Sequence, residues 1–239
     1  MWDNPRLLNA VADLLLACAA AILLFAAARL VLQSAPLQLR EVTVLGRLAH
    51  ADRAQIADAA RIALDGRTFL MADLDQVRHS LERVPWVRRV EVRRLWPDRL
   101  EVALEEHVAL ARWGEAELVN THGERFAAFT SARLPVFSGP QGSEAEVARR
   151  YRRFTELLAP ISETPQRVTL TSRHAWQVQL TSGLHLELGR DLPEQPAERR
   201  LERFVFSFPK TLARLQRQYE YVDLRYPHGF ALRVSGLDG

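Results

Sequence analysis

Seven histidines, a single cysteine and a scatter of adjacent charges are the side chains of this 239-residue chain with the greatest reactive potential. The cysteine, Cys18, lies inside an apolar run, so thiol catalysis, a disulfide or a Cys-based zinc cluster is excluded from everything that follows that run. His50, His79, His107, His122, His174, His185 and His228 include no His-Glu-x-x-His pair. His79 reads as a helix-surface residue and His107 as a strand-end residue. No Gly-x-Ser-x-Gly elbow occurs. Gly139-Pro140-Gln141-Gly142 lacks the Lys-Ser/Thr of a phosphate loop and contains a proline. Glu105 and Glu106 are neighbours on a strand pattern and so point to opposite faces, which is poor geometry for joint acid/base work. The empty motif classes predict no catalytic residue, no cofactor and no metal. No small-molecule substrate is expected.

Composition narrows the partners. Basic and acidic residues nearly balance at 32 and 29, a formal charge of +3, and all the basic residues but Lys210 are arginine. The pairs Arg88-Arg89, Arg93-Arg94, Arg149-Arg150, Arg152-Arg153 and Arg199-Arg200 could bind nucleic acid if they clustered. They are spread along the chain and interleaved with acids, so they read as solvated faces and no nucleic acid is expected.

The strongest single feature is LLNAVADLLLACAAAILLFAAARLVL, Leu7–Leu32. From Leu14 to Ala28 it holds no charge, amide or hydroxyl, and Leu14, Leu15, Leu16, Ile22, Leu23, Leu24 and Phe25 form its core. At 1.5 Å per helical residue the stretch spans about 39 Å, against a bilayer core of about 30 Å. Asp13 and Arg29 fall near opposite ends, and Pro5 and Pro36 are expected to lie outside the helix. A cleaved signal ending at Ala26-Ala27-Ala28 is the competing reading. The length of the run and its continuation through Leu30-Val31-Leu32 favour an anchor. Charge bias at the two ends is weak. Orientation follows from economy, since six residues precede the run and a domain-sized chain follows it. The expectation is a short cytoplasmic tail and transmembrane helix over residues 1–35 with an exported remainder.

That remainder reads as two modules. Over 36–106, a strand bearing Leu39, Val42 and Val44 ends at Gly46. Asp52 with Gln55, and Asp73 with Gln76, mark two helix starts of capping-box type. Ile56, Ala60 and Ala63 recur at helical spacing before Gly66, and Leu74, Val77, Leu81 and Val84 do so before Pro85. Val90 and Val92, then Leu100, Val102 and Leu104, alternate with charged residues on either side of Trp96-Pro97-Asp98-Arg99. The order strand-helix-helix-strand-strand makes one helical layer on a three-stranded sheet.

Over 107–239 short strands dominate: Ala111–Trp113, Leu118-Val119, Arg125–Phe129, Arg167–Ser172, Ala175–Thr181, Leu184–Leu188, Tyr219–Tyr226 and Phe230–Val234. A capping box at Ser143/Glu146 opens a helix carrying Val147, Tyr151, Phe154 and Leu158 up to Pro160. A second helix covers Pro196–Ser207, breaks at Pro209 and resumes through Leu212 and Leu215. The fold class is therefore α+β: one N-terminal transmembrane helix, the strand-helix-helix-strand-strand module, and a mixed β domain with flanking helices.

The stretch LREVTVLG, with FLMADLDQVRHSLERVPWVRRVEVRRLWPDRLEVALEEHVALARW, resembles the POTRA module of the FtsQ/DivIB family of bacterial cell-division proteins. Val44-x-Gly46, Val84-Pro85-Trp86-Val87, Trp96-Pro97 and Glu106-His107 carry the likeness, and YVDLRYPHGFALRV extends it to the C-terminus. Family members often have a proline where Ala109 stands. The resemblance implies a non-enzymatic scaffold of the divisome in the inner membrane, enriched at the septum, whose membrane-distal β domain binds FtsB and FtsL, a coiled-coil pair, and other division proteins. By position the partner-binding residues become Arg173, Arg225, Tyr226, His228, Gly229 and Phe230. Arginines that pair with partner acids and aromatic anchors suit such a role. Taken without the resemblance, the same residues describe a plain turn with core aromatics. An exported POTRA-type chaperone or transport adaptor is the alternative function.

Overall fold

The computed structural model describes residues 5–32, 41–64, 69, 71–210, 219–227 and 229–234. Helix α1 spans Pro5–Leu32. Pro5 thus lies within this helix rather than outside it. Within α1 the candidate span Asn9–Leu30 has 22 residues, about 33 Å at helical rise. Leu14, Leu15, Leu16, Ile22, Leu23, Leu24 and Phe25 are 64–72% exposed. Burying one such side chain is worth about 1.5–3 kcal/mol, so a row of them left bare favours a lipid environment. The Arg29 guanidinium lies over the Phe25 ring at 5.7 Å.

The chain divides into two compact units, the first including α1, that meet in sequence at Glu106/His107. The first contains β1 (Glu41–Leu45), α2 (Arg53–Leu64), α3 (Leu74–Leu81), β2 (Val87–Leu95) and β3 (Arg99–Glu106). Its sheet order is β1-β3-β2, with β1 parallel and β2 antiparallel to β3. The side-chain alternation decides the face: Val90, Leu100 and Val102 turn inward with Ile56, Ala60, Ala63, Val77 and Leu81. Both expected helix starts exist. Asp52 Oδ1 accepts from Ala54 N at 2.8 Å, and Asp73 Oδ1 accepts from Asp75 N and Gln76 N at 3.0 and 3.1 Å. Helix α3 stops at Leu81, before the expected Pro85, because Val84 N already bonds back to Leu81 O in a tighter turn. Leu39 and Gly66 lie outside the described residues.

Among the described residues of this unit, Glu106 is the carboxylate that accepts from the most backbone amides. It accepts from the amides of Ala49 (2.9 Å), His50 (3.2 Å) and Ala51 (2.7 Å) in the turn that leads into α2. The His50 ring stacks on Trp86 with centroids 4.2 Å apart. Glu105, its sequence neighbour, points elsewhere and pairs with Arg88 at 2.8 Å.

The second unit is a nine-stranded sheet in the order β12-β11-β10-β9-β8-β7-β4-β5-β6. Its strands are β4 (Ala109–Trp113), β5 (Glu117–Asn120), β6 (Arg125–Phe126), β7 (Val136–Ser138), β8 (Pro165–Leu170), β9 (Ala175–Leu180), β10 (His185–Arg190), β11 (Tyr219–Asp223) and β12 (Ala231–Val234). Helices α4 (Glu144–Leu158) and α5 (Ala197–Ser207) pack together on one face. Phe137, Phe154, Trp176, Leu180, Leu186, Leu201 and Phe204 are fully buried between helices and sheet. The other face carries Arg167, Gln177, His185 and Glu187, exposed or half-buried.

Several boundaries differ from the sequence expectation. Ser143 does not cap α4 with its side chain; its hydroxyl donates to Pro140 O at 2.6 Å, closing the preceding turn instead. The strand expected over Arg125–Phe129 is only Arg125–Phe126, since β5 offers partners to those two residues alone. Pro196 precedes α5 as its cap residue rather than starting it. The strand expected over Tyr219–Tyr226 ends at Asp223, and its partner begins at Ala231 rather than Phe230. Leu212 and Leu215 lie outside the described residues. Strand β11 joins β10 in parallel, so α5 and the segment after it form a crossover.

Two outcomes follow. Phe154→Ala should cost about 3–5 kcal/mol, read as a lower denaturation midpoint of the full chain in detergent. For Glu106, burial raises the carboxyl but the three backbone donors outweigh it, so its pKa is lowered on folding. Its stabilisation is complete above the ordinary glutamate range and is lost as pH falls through the depressed value. Glu106→Gln should lower the melting temperature at neutral pH and flatten its decline in acid.

Candidate functional site

The candidate site is built from the C-terminal end of the sheet. Strand β12 pairs antiparallel with β11 and stands at the sheet's edge, with Ala231, Leu232 and Arg233 exposed. Among the described residues no strand covers its outer side. An edge of this kind presents backbone donors and acceptors to a further chain.

The predicted residues take different positions. Tyr226 is 54% exposed in the turn between β11 and β12. Arg173 is exposed in the β8–β9 turn. No contact of Arg173 with the hairpin is seen among the described residues, so that pair is not brought into one bonded cluster. Arg225 is already engaged within the chain. Its Nε donates to Asp223 Oδ1 at 2.8 Å, and its Nη2 donates to Oδ2 at 2.5 Å. Hydrogen bonding from Arg225 holds the buried Asp223 carboxyl below its ordinary range, and the carboxylate in turn raises the arginine. Phe230 is half-buried and meets the Phe204 ring edge-on at 6.1 Å. It is a core aromatic at the border of the site. A side chain added at Gly229 would meet nothing within 4 Å, so this chain's own packing does not require glycine there. His228 lies outside the described residues.

The residues that hold this arrangement sit mainly on α5. The buried Arg200 guanidinium donates to the carbonyls of Leu188 and, at 2.8 Å, Arg190. Arg203 donates to Pro227 O and, at 2.8 Å, to Tyr226 O. Gly189 has φ +73°, and a Cβ there would lie 2.8 Å from Arg225 Cγ, so glycine is needed on both counts. Apolar Leu201 and Phe204 on this helix carry a helical spacing visible in the sequence, but carbonyl-capping arginines leave no periodic mark. The β12-to-α5 region has one further feature that motif reading overlooks. Ser207-Phe208-Pro209-Lys210 has the Ser-x-x-Lys spacing, yet the serine hydroxyl donates to Arg203 O one turn back at 2.9 Å, ordinary behaviour for a helix serine. Among the described residues no group of three His, Cys, Asp or Glu side chains is placed to hold a metal.

A long apolar helix ahead of a small two-helix, three-stranded unit, then a broad sheet, is the architecture of a POTRA-bearing protein with a candidate membrane span. Relatives give the particular family. Residues 37–107 match the FtsQ-type POTRA domain, and residues 111–225 match the C-terminal domain of cell division protein FtsQ/DivIB. The chain is 41% identical to the cell division protein FtsQ of Burkholderia pseudomallei, covering 99% of this chain and 96% of that one. It is 41% identical to the FtsQ of Nitrosospira multiformis over 98% and 99%, and 32% identical to that of Neisseria gonorrhoeae over 98% and 95%. The chain belongs to the FtsQ/DivIB family of cell division proteins. That family is not known as enzymatic.

The Gly189 geometry yields a direct check. Gly189→Ala should destabilise the chain by about 1–3 kcal/mol through backbone strain and displacement of Arg225, measured by thermal unfolding.

Proposed function

We propose that this chain is a non-enzymatic divisome scaffold that binds FtsB and FtsL through its terminal hairpin and thereby recruits and regulates later septal wall-synthesis proteins. It is inserted once in the inner membrane by α1, its N-terminus cytoplasmic and its two folded units periplasmic, and is enriched at the septum. Residues 1–35, 36–106 and 107–239 are its anchor, POTRA-like and partner-binding parts. The observation that carries the reading is the uncovered edge strand β12 beside the exposed Tyr226 in an FtsQ-family chain. A partner strand adding to that edge gains backbone hydrogen bonds, while Tyr226 supplies an amphipathic anchor and Arg173 a charge for partner acids. Phe230 contributes from below by supporting the hairpin, and Arg225 by shaping it through Asp223.

Binding of the purified FtsB–FtsL pair to the full chain tests this. Tyr226→Ala should weaken binding about 10- to 30-fold without lowering the melting temperature, as expected for a hot-spot residue. Phe230→Ala should reduce both binding and stability. Undiminished binding by Tyr226→Ala and Arg173→Glu together would overturn the interface. A fluorescent fusion truncated before Tyr219 should no longer recruit the downstream septal proteins.

A further inference from the structure

We infer that Arg203 is a positioning residue for the terminal hairpin: its guanidinium fork grips the carbonyls of Tyr226 and Pro227 and so sets the direction in which Tyr226 faces outward. The inference rests on the hairpin reading proposed above.

Three observations lead there. Among its described residues the turn has little means of closing on itself. Pro227 has no N–H to donate, and the Arg225 amide is spent on the Asp223 carboxylate at 3.0 Å. Among the described residues the last backbone hydrogen bond before the turn runs from Leu224 N to Glu187 O, and none closes the segment beyond it. Its carbonyls are met from outside by Arg203. The base of that grip is fixed, because Leu201 and Phe204, two residues before and one after Arg203, are fully buried. On the far side of the turn Phe204 also meets Phe230. Adjacent residues of α5 therefore hold both ends of the Tyr226–Phe230 segment, one by hydrogen bonds and one by ring packing. Arginine suits the task because its planar fork addresses two carbonyls at once, whereas a lysine ammonium acts as a single flexible point.

The test uses the full chain in nanodiscs, with amide hydrogen exchange read over residues 224–231 and over β8–β9, and with FtsB–FtsL as the binding probe. Arg203→Ala should speed exchange in the hairpin about 10-fold while leaving β8–β9 unchanged. It should also weaken FtsB–FtsL binding about 10-fold. Arg203→Lys should recover less than half of either effect. The Arg203→Ala/Tyr226→Ala double variant should bind no more weakly than Tyr226→Ala alone, since one change acts through the other. Unchanged hairpin exchange, equal acceleration across β8–β9, full recovery by lysine or additive binding losses would each overturn the inference. If hairpin exchange responds as expected but the parent chain does not bind FtsB–FtsL, the partner reading fails and the positioning role stands.

Discussion

One charged side chain under the sheet, Arg200, is the constraint around which the C-terminal end of the sheet is arranged. Strand β11 follows β10 only over three residue pairs, His185↔Tyr221 to Glu187↔Asp223. Beyond them β10 bulges at Gly189, and carbonyls in that stretch need donors from another source. Arg200 reaches them from α5 while 97% covered. Burial lowers its pKa, and the nearby Asp191 carboxylate opposes that shift. A guanidinium retains its charge under such a shift because its ordinary value is so high. With Arg200 fixed, α5 has one rotation and one height against the sheet, which buries Leu201 and Phe204.

The same rotation gives α5 its second role. Arg203 is carried to the turn after β11, and Glu198 and Glu202 are brought opposite Arg150 and Arg153 of α4. Asp191 ties this side together by accepting from Arg150, from the Trp176 indole at 3.3 Å and from the Ala197 amide at 2.8 Å. Paired arginines that look alike in the sequence thus divide by depth. Some close helix to helix, and others hold strand ends. Arg150 and Arg153 serve carboxylates, whereas Arg200 and Arg203 serve backbone carbonyls.

The proposed scaffold role would place few demands on chemistry and many on an edge. It would require a strand kept open to a partner without collapsing or pairing at random. Here the edge strand β12 is short, carries Arg233 over the Tyr221 ring at 5.8 Å, and is braced through Phe230. Asn120 plays a comparable structural part at the other end of the sheet. It is fully buried, donates to His107 and Glu124, and accepts from the amides of His122 and Glu124. His107 stacks on Phe126 at 4.1 Å. A histidine that composition alone could assign to chemistry is a packed and hydrogen-bonded structural residue.

What the sequence determined by itself was whatever depends on neighbours along the chain. The apolar run of α1, the caps at Asp52 and Asp73, and the alternation of β2, β3 and β9 all arise within a few residues, where helical and strand periods act directly on burial. The family likeness was also legible, from Val44-x-Gly46, Val84-Pro85-Trp86-Val87, Trp96-Pro97 and Glu106-His107 in combination, with YVDLRYPHGFALRV at the far end. Tertiary structure alone decided which candidate side chains are available. Arg225 and Asp223 are only two residues apart, yet their pairing over the Gly189 bulge depends on strands that meet through a parallel crossover. Phe230 turns inward because Phe204, 26 residues earlier in the chain, offers it a ring. Tyr226 remains outside because Arg203 holds the carbonyls beneath it. Contacts between distant elements have no period to read, since they are set when the helices and strands settle against one another.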